Sequence, residues 1–226
     1  MPDFFPKEAA ERYDERNSKL SRISDCLHFL TSLALQGLPS NAHVLCAGVG
    51  TGAELLFLAR TFPGWTFVAL DPSSPMLDVC RDRCEQAGIL ARCEFVHGHV
   101  DDLPEQANFD AALSILVAHF IPRDERPAFL QAMTRRLRTG GYLVTAEISF
   151  DLDSAAWPPM LDGWKAVQGM MGATPESLAA LPQLLRNKLT VLPPAETEEL
   201  LRASGVAVPV RFFQAFMICG WYGQKV

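Results

Sequence analysis

Apolar positions recur along the chain with two alternating spacings. Between residues 39 and 150, short continuous apolar runs predict buried strands at 42–46, 66–70, 92–96, 109–114 and 142–148. Apolar positions three or four residues apart predict helices between them, at 53–61, 74–87 and 124–137. Because strands that alternate with helices of this length form parallel sheets, the pattern predicts an α/β fold with helices on both faces of a sheet.

The segments on either side of this alternation have a different character. Helical spacing predicts further helices over 7–17, 20–37 and 195–203. Residues 151–194 are rich in Pro, Gly and Met and are predicted to form a helical insertion over the sheet edge. The last two apolar runs, 206–213 and 214–222, are predicted to pair as a terminal hairpin.

The net charge and the cysteines limit which binding partners and which cellular location we expect. The 226 residues carry a formal net charge of −6, so a phosphate backbone is not generally attracted and nucleic acid is a poor default partner. The N-terminus lacks a signal-peptide pattern, and no uninterrupted apolar run is long enough to span a membrane. The six cysteines lack metal-ligand spacing, so we expect reduced, mostly buried thiols, no bound metal and a cytoplasmic location.

A glycine-rich turn joins the first strand of the alternation to the helix that follows it. Its sequence is Gly48-Val49-Gly50-Thr51-Gly52, and glycines there allow positive φ angles and a close approach of a ligand to the backbone. The G-x-G-x-G spacing differs from the G-x-G-x-x-G of dinucleotide-binding enzymes. The turn therefore favours a nucleoside ligand that has no pyrophosphate.

Polar residues end two of the next strands. Asp71 lies about 20 residues past the glycines, where an acidic group can accept both ribose hydroxyls. The alternative is that Asp71 caps the helix at 74–87, which Ser73 or Ser74 could also do. Residues 97–104 follow the third strand, where such folds hold the adenine, and the carboxyl end of the strand at 109–114 faces the ligand crevice.

Together these features resemble the class I S-adenosylmethionine-dependent methyltransferases over nearly the whole chain. Four segments carry the resemblance in the expected order: 44–54, Asp71, 98–104 and 137–144. It implies a Rossmann-like, seven-stranded sheet of order 3-2-1-4-5-7-6, with the last strand antiparallel. We expect a single methyltransferase domain over 1–226, made of four parts. These are N-terminal helices at 1–38, a cofactor-binding core at 39–150, a helical cap insertion at 151–194, and a C-terminal helix and hairpin at 195–226.

The resemblance also implies the cofactor and its contacts. The cofactor is S-adenosyl-L-methionine, the product is S-adenosyl-L-homocysteine, and the acceptor is a small molecule. Asp71 is expected to bind the ribose, and His99 departs from the acidic residue that many members have, so the backbone or Asp101 is expected to contact the adenine there. The other expected cofactor contacts are Ala47, Gly48, Gly50, Gly52, Pro72, Met76, Val100, Ser114 and Ile115.

Both ends of the chain look like the tRNA wobble-uridine carboxymethyltransferases. The likeness lies in Tyr13-Asp14-Glu15-Arg16, in Arg186 with Leu189, and in residues 213–216. It implies carboxy-S-adenosylmethionine as the donor, with its extra carboxylate held by Arg186, and tRNA as the acceptor. The spacing from Arg186 to the end of the chain differs and the chain is acidic, so methyl transfer to a small molecule is the leading hypothesis.

Methyl transfer from a sulfonium depends mainly on orientation, so the sequence need not contain a fixed catalytic residue. His119 and Tyr13 are nevertheless candidates; the alternatives are a backbone-bonded histidine and an ordinary amphipathic anchor. Glu147 is expected either to bind the acceptor or to have only a structural, capping role. The other expected acceptor contacts are Arg16, Trp164 and Arg186. A non-catalytic cofactor-binding protein and a homodimer stay open, whereas the glycine spacing argues against an NAD dehydrogenase.

Overall fold

The computed structural model describes residues 18–106 and 108–226 as alternating strands and helices. The helices are α1 (Ser21–Leu35), α2 (Ala53–Thr61), α3 (Ser74–Gln86), α4 (Arg126–Arg136), α5 (Trp157–Met170), α6 (Pro175–Asn187) and α7 (Pro194–Ala203). The strands are β1 (His43–Ala47), β2 (Thr66–Asp71), β3 (Cys93–His97), β4 (Phe109–Ile115), β5 (Leu137–Ile148), β6 (Val210–Ala215) and β7 (Ile218–Gln224). The alternation predicted for the core is confirmed, and the predicted helix at 7–17 lies outside the described residues.

The strands form one seven-stranded sheet of order β3-β2-β1-β4-β5-β7-β6. Strands β1 to β5 are parallel, and β7 runs antiparallel to both of its neighbours, β5 and β6. The predicted fold class is confirmed. Because β1 lies between β2 and β4, the carboxyl ends of these three strands meet at one edge, where ligands bind in open α/β sheets.

Alternate residues of the central strands supply two cores, one on each face of the sheet. Val44 and Cys46 of β1 belong to a core shared with α2 and α3. Their neighbour Leu45 belongs to a core on the other face, which includes Leu130 and Met133 of α4. Helices therefore cover both faces, which explains why β1 has no polar side and reads as a continuous apolar run.

Strand β5 begins earlier than the sequence predicts. The sequence predicts a strand that starts at residue 142, but Leu137 already pairs with Phe109 of β4. The next pair is Ala111 with Tyr142, so residues 138–141 bulge out of the ladder. Gly140 has φ +76° in this bulge. The predicted start of the strand was therefore wrong: Gly140 and Gly141 kink a strand that has already begun at Leu137.

The terminal hairpin turns later than the sequence predicts. The break was expected between Phe213 and Gln214, whereas β6 continues to Ala215 and pairs there with Ile218 of β7. The turn residue Met217 is fully buried and belongs to the apolar cluster beneath α5 and α6. This turn lacks glycine and places a large apolar residue inside, so it carries none of the local signals by which turns are recognised.

The segment at 151–194 contains α5 and α6, which pack together over the β7 side of the sheet. Trp164 and Val167 of α5 and Leu181 and Leu185 of α6 share one cluster with Ile218 of β7. Leu27 of α1 joins the same cluster, and Leu20, Ile23 and Leu30 pack against it. We name this set of residues the cap cluster, because it joins the N-terminal helix and the insertion to the edge of the sheet.

Candidate active site

The glycine loop between β1 and α2 is held tightly against the end of β2. Gly48 and Val49 both donate their backbone N–H to the carbonyl of Leu70, at 2.8 and 3.0 Å. All three loop glycines have positive φ: +70° at Gly48, +54° at Gly50 and +81° at Gly52. An L side chain in this region of φ costs about 1–2 kcal/mol, so the loop conformation itself selects glycine.

Two of the three glycines are also packed too closely for a side chain. A Cβ atom on Gly48 would lie 2.4 Å from a methyl carbon of Val117, and one on Gly52 would lie 2.5 Å from Sγ of Cys80. A Cβ atom on Gly50 would meet nothing within 4 Å. The loop is therefore clamped at both ends by protein and open in the middle, which leaves room for a ligand over Gly50.

The Asp71 carboxylate connects the loop to the helix that follows β2. Its Oδ2 accepts the Gly50 N–H at 2.8 Å and its Oδ1 accepts the Ser73 N–H at 2.8 Å. Burial raises the pKa of Asp71, and the hydrogen bonds from Ser73 and Gly50 partly oppose that rise. An ionised carboxylate has about four acceptor positions, so two remain beyond those used by the backbone.

Glu54 is a second buried carboxyl group beside the loop, and the sequence reasoning missed it. It lies in the first turn of α2 and is 8% exposed. Burial raises the pKa of Glu54 to about 8, with a further increase from Asp71 and a decrease from Arg83. The group is thus largely protonated at neutral pH. The signal in the sequence was an acidic residue on the inward face of a helix, next to Leu55 and Leu56.

The turn after β3 lies beside Asp71, as expected for the adenine side of the site. Gly98 donates its N–H to the Asp71 carbonyl at 3.1 Å, and His97 Nε2 lies 2.9 Å from the Pro72 carbonyl oxygen. Asp102 accepts the His99 N–H at 2.7 Å and so caps this turn. His99 and Pro72 are exposed, whereas Val100 and Met76 are buried.

The carboxyl end of β4 approaches the glycine loop through an unusual backbone conformation. Leu116 has φ +59°, which is uncommon for a bulky residue, and its N–H donates to Ala146 O at 2.6 Å. This turn brings Val117 against Gly48. Ser114 is fully buried and its hydroxyl has no hydrogen-bond partner among the described residues, while Ile115 is partly exposed.

His119 is buried and bonded to backbone. It is 3% exposed, and its Nδ1 lies 3.4 Å from the Ile148 N–H, which donates to it. Its carbonyl accepts the Thr190 N–H at 2.8 Å. Burial, with a smaller contribution from Arg126, lowers the pKa of His119 to about 3. A ring of such low basicity is poorly suited to take a proton at neutral pH, so the structure favours the backbone-bonded alternative over the catalytic one.

Glu147 is held in a buried network and not presented to an acceptor. Its Oε2 accepts from Arg126 at 2.7 Å and its Oε1 from the Thr197 hydroxyl at 2.7 Å. Both members of the ion pair are 1% exposed. Arg126 also donates to the carbonyls of Ala118 and Thr190 at 2.7 Å. The predicted acceptor contact at Glu147 is therefore corrected: its carboxylate joins α4 and α7 to β5.

The segment that forms this site is similar in sequence to a known protein family. Residues 44–141, from β1 into β5, match the family described as a methyltransferase domain. The matched segment contains the glycine loop, Asp71, the turn after β3 and the turn after β4.

Two curated relatives are methyltransferases. The chain is 36% identical over 142 residues to Fatty-acid O-methyltransferase of Mycolicibacterium smegmatis, covering 62% of this chain and 49% of that protein. It is 30% identical over 125 residues to Phthiotriol/phenolphthiotriol dimycocerosates methyltransferase 1 of Mycobacterium ulcerans, covering 55% and 44%. The chain thus spans about half the length of the curated relatives it matches.

The fold of this chain also occurs among solved structures. An O-methyltransferase family protein from Burkholderia thailandensis superimposes with a TM-score of 0.69 at 15% identity, covering 96% of this chain and 59% of that chain. At this level of identity the likeness concerns the fold. It extends beyond residues 44–141 to nearly the whole chain.

Two of the acceptor contacts predicted outside the matched segment, Trp164 and Arg186, contact other parts of the protein. Trp164 is buried in the cap cluster. Arg186 pairs with Asp153 at 2.8 Å and donates to the Leu152 carbonyl at 2.5 Å, so part of its guanidinium already has protein partners. Tyr13 and Arg16 lie outside the described residues.

The described residues contain neither a metal-binding cluster nor a membrane-spanning helix. Over 18–106 and 108–226, no group of three or more His, Cys, Asp or Glu side chains is arranged to hold a metal ion. Within the same ranges, no helix combines the length and the apolarity that a membrane crossing requires.

Proposed function

We propose that the protein transfers a methyl group from S-adenosylmethionine to a small, lipid-like acceptor that carries a carboxylate. The observation that carries the proposal is the open space over Gly50, bordered by the buried Asp71 carboxylate, within a methyltransferase domain. The matched relatives named for fatty acids and for phthiotriol dimycocerosates support a lipid-like acceptor.

The residues at the carboxyl edge of the sheet fit this cofactor. The two acceptor positions left on Asp71 suit the two ribose hydroxyls. Gly52 is the N-cap of α2 and has no side chain to cap it, so the positive end of the helix dipole favours the carboxylate of the methionine part there. The remaining cofactor contacts that we propose are Ala47, Gly48, Pro72, Met76, His99, Val100, Ser114 and Ile115.

When bound, the cofactor supplies an electrophilic methyl group on a sulfonium, which needs only a nucleophile in line with it. The chain contributes orientation, because the loop is clamped by Val117 and Cys80 and the Asp71 carboxylate is fixed by two amides. His119, the histidine nearest to the end of β4, has its pKa lowered to about 3 by burial. We therefore expect an acceptor that is already ionised at neutral pH, such as a carboxylate, and needs no protein base.

The acceptor is expected to approach from the cap cluster. Ile115, Leu116 and Ile148, at the carboxyl ends of β4 and β5, pack against this cluster. Trp157 and Met160 of α5 also border it. These side chains are apolar and, in the case of Met160, adaptable, which suits an alkyl chain whose carboxylate reaches the edge of the sheet.

Transfer to a defined panel of acceptors tests the proposal. Purified protein would be incubated with S-adenosylmethionine that carries a deuterated methyl group, together with saturated fatty acids of graded chain length. We expect labelled methyl esters in the mass spectrum, and a rate that rises with chain length as more alkyl surface is buried. Matched fatty alcohols should give no product, because a hydroxyl must lose a proton in the reaction.

Two alternative functions give different results in the same samples. Cofactor binding without transfer to any acceptor would contradict the proposal and favour a non-catalytic cofactor-binding protein. A copurifying ligand heavier than S-adenosylmethionine by one carboxylate would instead support carboxymethyl transfer to tRNA. The ion pair between Arg186 and Asp153 argues against that function, because Arg186 is the residue expected to hold the extra carboxylate.

A further inference from the structure

A cleft opens on the protein surface just past the end of β5. Its volume is about 510 Å³, within the range of about 300–1,000 Å³ that is usual for small-molecule sites. Three parts of the chain line it: the residues before α4, the loop after β5, and the stretch from the end of α6 to the start of α7. The lining residues are Arg123, residues 150–153, Leu185, Arg186, residues 189–193 and Glu196. None of them is among the proposed cofactor contacts, so the cleft is distinct from the cofactor site.

The apolar part of this lining belongs to the cap cluster. Leu152 and Leu185 are buried members of the cluster, and Phe150, Leu189 and Val191 pack against it. The side chains of the last three residues are partly exposed, so apolar surface of the cluster reaches the cleft. An alkyl chain that covers this surface gains about four-fold in affinity for each methylene removed from water. The lining therefore suits an alkyl ligand.

Hydrogen bonds fix the two longer segments of the lining to each other. The Phe150 N–H donates to the Leu192 carbonyl at 3.0 Å, and the Ser149 hydroxyl donates to the same carbonyl at 2.8 Å. Nearer the end of α6, Arg186 pairs with Asp153 of the loop at 2.8 Å. The cleft is thus formed by the fold itself, as ligand pockets usually are, and a ligand need not order these segments.

The cleft lies close to the place where the proposed acceptor reacts. Ile148 ends β5 at the carboxyl edge of the sheet and packs against the cap cluster. Phe150, only two residues later and so at most about 7 Å further along the backbone, lines the cleft. The turn after β4 is tied to the same lining, because the Thr190 N–H donates to the His119 carbonyl at 2.8 Å. An acceptor whose carboxylate lies at this edge can therefore extend its alkyl chain into the cleft.

The charged residues of the lining remain in contact with water. The side chain of Arg123 is 67% exposed and pairs with Glu196, and that of Asp153 is 85% exposed and pairs with Arg186. Asp151 is exposed as well. A methylene group beside these hydrated charges gains little from burial. The charged residues therefore limit the length of alkyl chain that the cleft can hold.

We propose that this cleft holds the alkyl chain of the acceptor and that Leu189 sets the chain length that the protein accepts. The inference rests on the proposed function and adds to it the surface that recognises the acceptor. Leu189 suits this role because its side chain is apolar, lines the cleft and is partly exposed there. A larger side chain at this position fills the cleft, and a smaller one lengthens it.

Calorimetric titration with sodium dodecanoate, in the presence of S-adenosylhomocysteine, tests the cleft directly. We expect saturable binding that Leu189→Trp weakens about ten-fold or more, because each methylene kept out of the cleft costs about four-fold. Val208→Trp places the same ring on exposed surface outside the cleft and should bind as the parent does. Equal affinity in Leu189→Trp and the parent, or no binding by the parent, would overturn the site.

Chain-length preference in methyl transfer tests the role of Leu189 separately. Rates of methyl ester formation would be compared for octanoate, dodecanoate and tetradecanoate. We expect Leu189→Trp to lower the dodecanoate-to-octanoate ratio about five-fold or more, since fewer methylenes fit. Leu189→Ala, a milder change that keeps the test valid if the tryptophan variant does not fold, should raise the tetradecanoate-to-dodecanoate ratio. Val208→Trp should leave both ratios unchanged.

The two measurements separate the cleft from the proposed function. Unchanged ratios in the folded Leu189 variants would overturn the role of Leu189 in chain-length selection. Dodecanoate binding that Leu189→Trp weakens, without ester formation by the parent, would contradict the proposed function and leave the cleft as an alkyl-binding site. Ester formation together with dodecanoate binding that Leu189→Trp does not change would keep the proposed function and overturn the cleft.

Discussion

At the residue scale, Asp71 shows how a carboxylate can organise a loop and still be available to a ligand. The sequence predicts its position because it ends an apolar run about 20 residues past the glycines. The predicted alternatives were ribose binding and helix capping, and the structure shows that two amides already use one acceptor position on each oxygen. Asp71 can therefore bond to the backbone and still accept hydrogen bonds from a ligand, so the two predicted alternatives do not exclude each other.

His119 and Glu147 show why single residues are harder to assign from sequence than the strands that precede them. His119 comes shortly after β4 and Glu147 lies near the end of β5, and catalytic residues are often found at such ends of strands. Their partners are distant in sequence: Ile148 for His119, and Arg126 and Thr197 for Glu147. No local pattern indicates such partners, so the sequence could not tell a buried, bonded side chain from one presented to substrate.

The His119→Gln variant tests the buried, neutral histidine. Because the pKa of His119 is lowered to about 3 in the folded protein, the unfolded chain binds one more proton between about pH 6.5 and pH 3. His119 therefore makes stability fall by about 1.4 kcal/mol per unit as the pH drops through this window. Urea unfolding between pH 6.5 and 4.5 should show a shallower slope in His119→Gln. An identical slope would contradict the buried, neutral state.

At the scale of elements, the sequence predicts most where local signals and tertiary structure agree. The range of α2 is as predicted, because Gly52 and the apolar spacing both mark it. The start of β5 and the terminal turn differ from prediction, because a pairing partner decides each of them. Leu137 joins the sheet through Phe109, and Ala215 is held by Ile218.

Substitutions in the glycine loop test whether its two ends are clamped. Gly48→Ala and Gly50→Ala should both carry the backbone cost of positive φ, about 1–2 kcal/mol. Only Gly48→Ala also creates a clash, with Val117. We therefore expect Gly48→Ala to lose more stability in chemical denaturation, and Gly48→Ala with Val117→Ala to recover part of the loss. Equal losses in the two single variants would contradict the clamp.

At the scale of the whole molecule, a buried ion pair and its hydrogen bonds connect α4 to three other parts of the fold. Arg126 on α4 bonds Glu147 at the end of β5, Thr190 before α7 and Ala118 in the turn after β4. The site edge is thereby fixed to the segment that ends the insertion. The sequence contains no sign of this connection, since Glu147 and Thr190 lie 21 and 64 residues from Arg126.

Removing one member of this pair should destabilise the whole fold. Arg126→Met leaves the Glu147 carboxylate buried without its cation, so we expect a loss of about 3–5 kcal/mol in the free energy of unfolding. Arg123→Met removes a matched but exposed pair with Glu196 and should cost about 0–1 kcal/mol. Similar losses in the two variants, measured by urea unfolding, would show that the buried network does not hold the edge of the sheet together.

The central claim is that this edge of the sheet binds S-adenosylmethionine through the glycine loop and Asp71. Titration of reduced protein with the cofactor in a calorimeter tests it most directly, with Asp71→Asn compared against Asp78→Asn on the exposed face of α3. We predict saturable binding that Asp78→Asn retains and that Asp71→Asn weakens about ten-fold or more, as expected for a lost charge-assisted hydrogen bond. Equal affinity in Asp71→Asn and the parent would contradict the account.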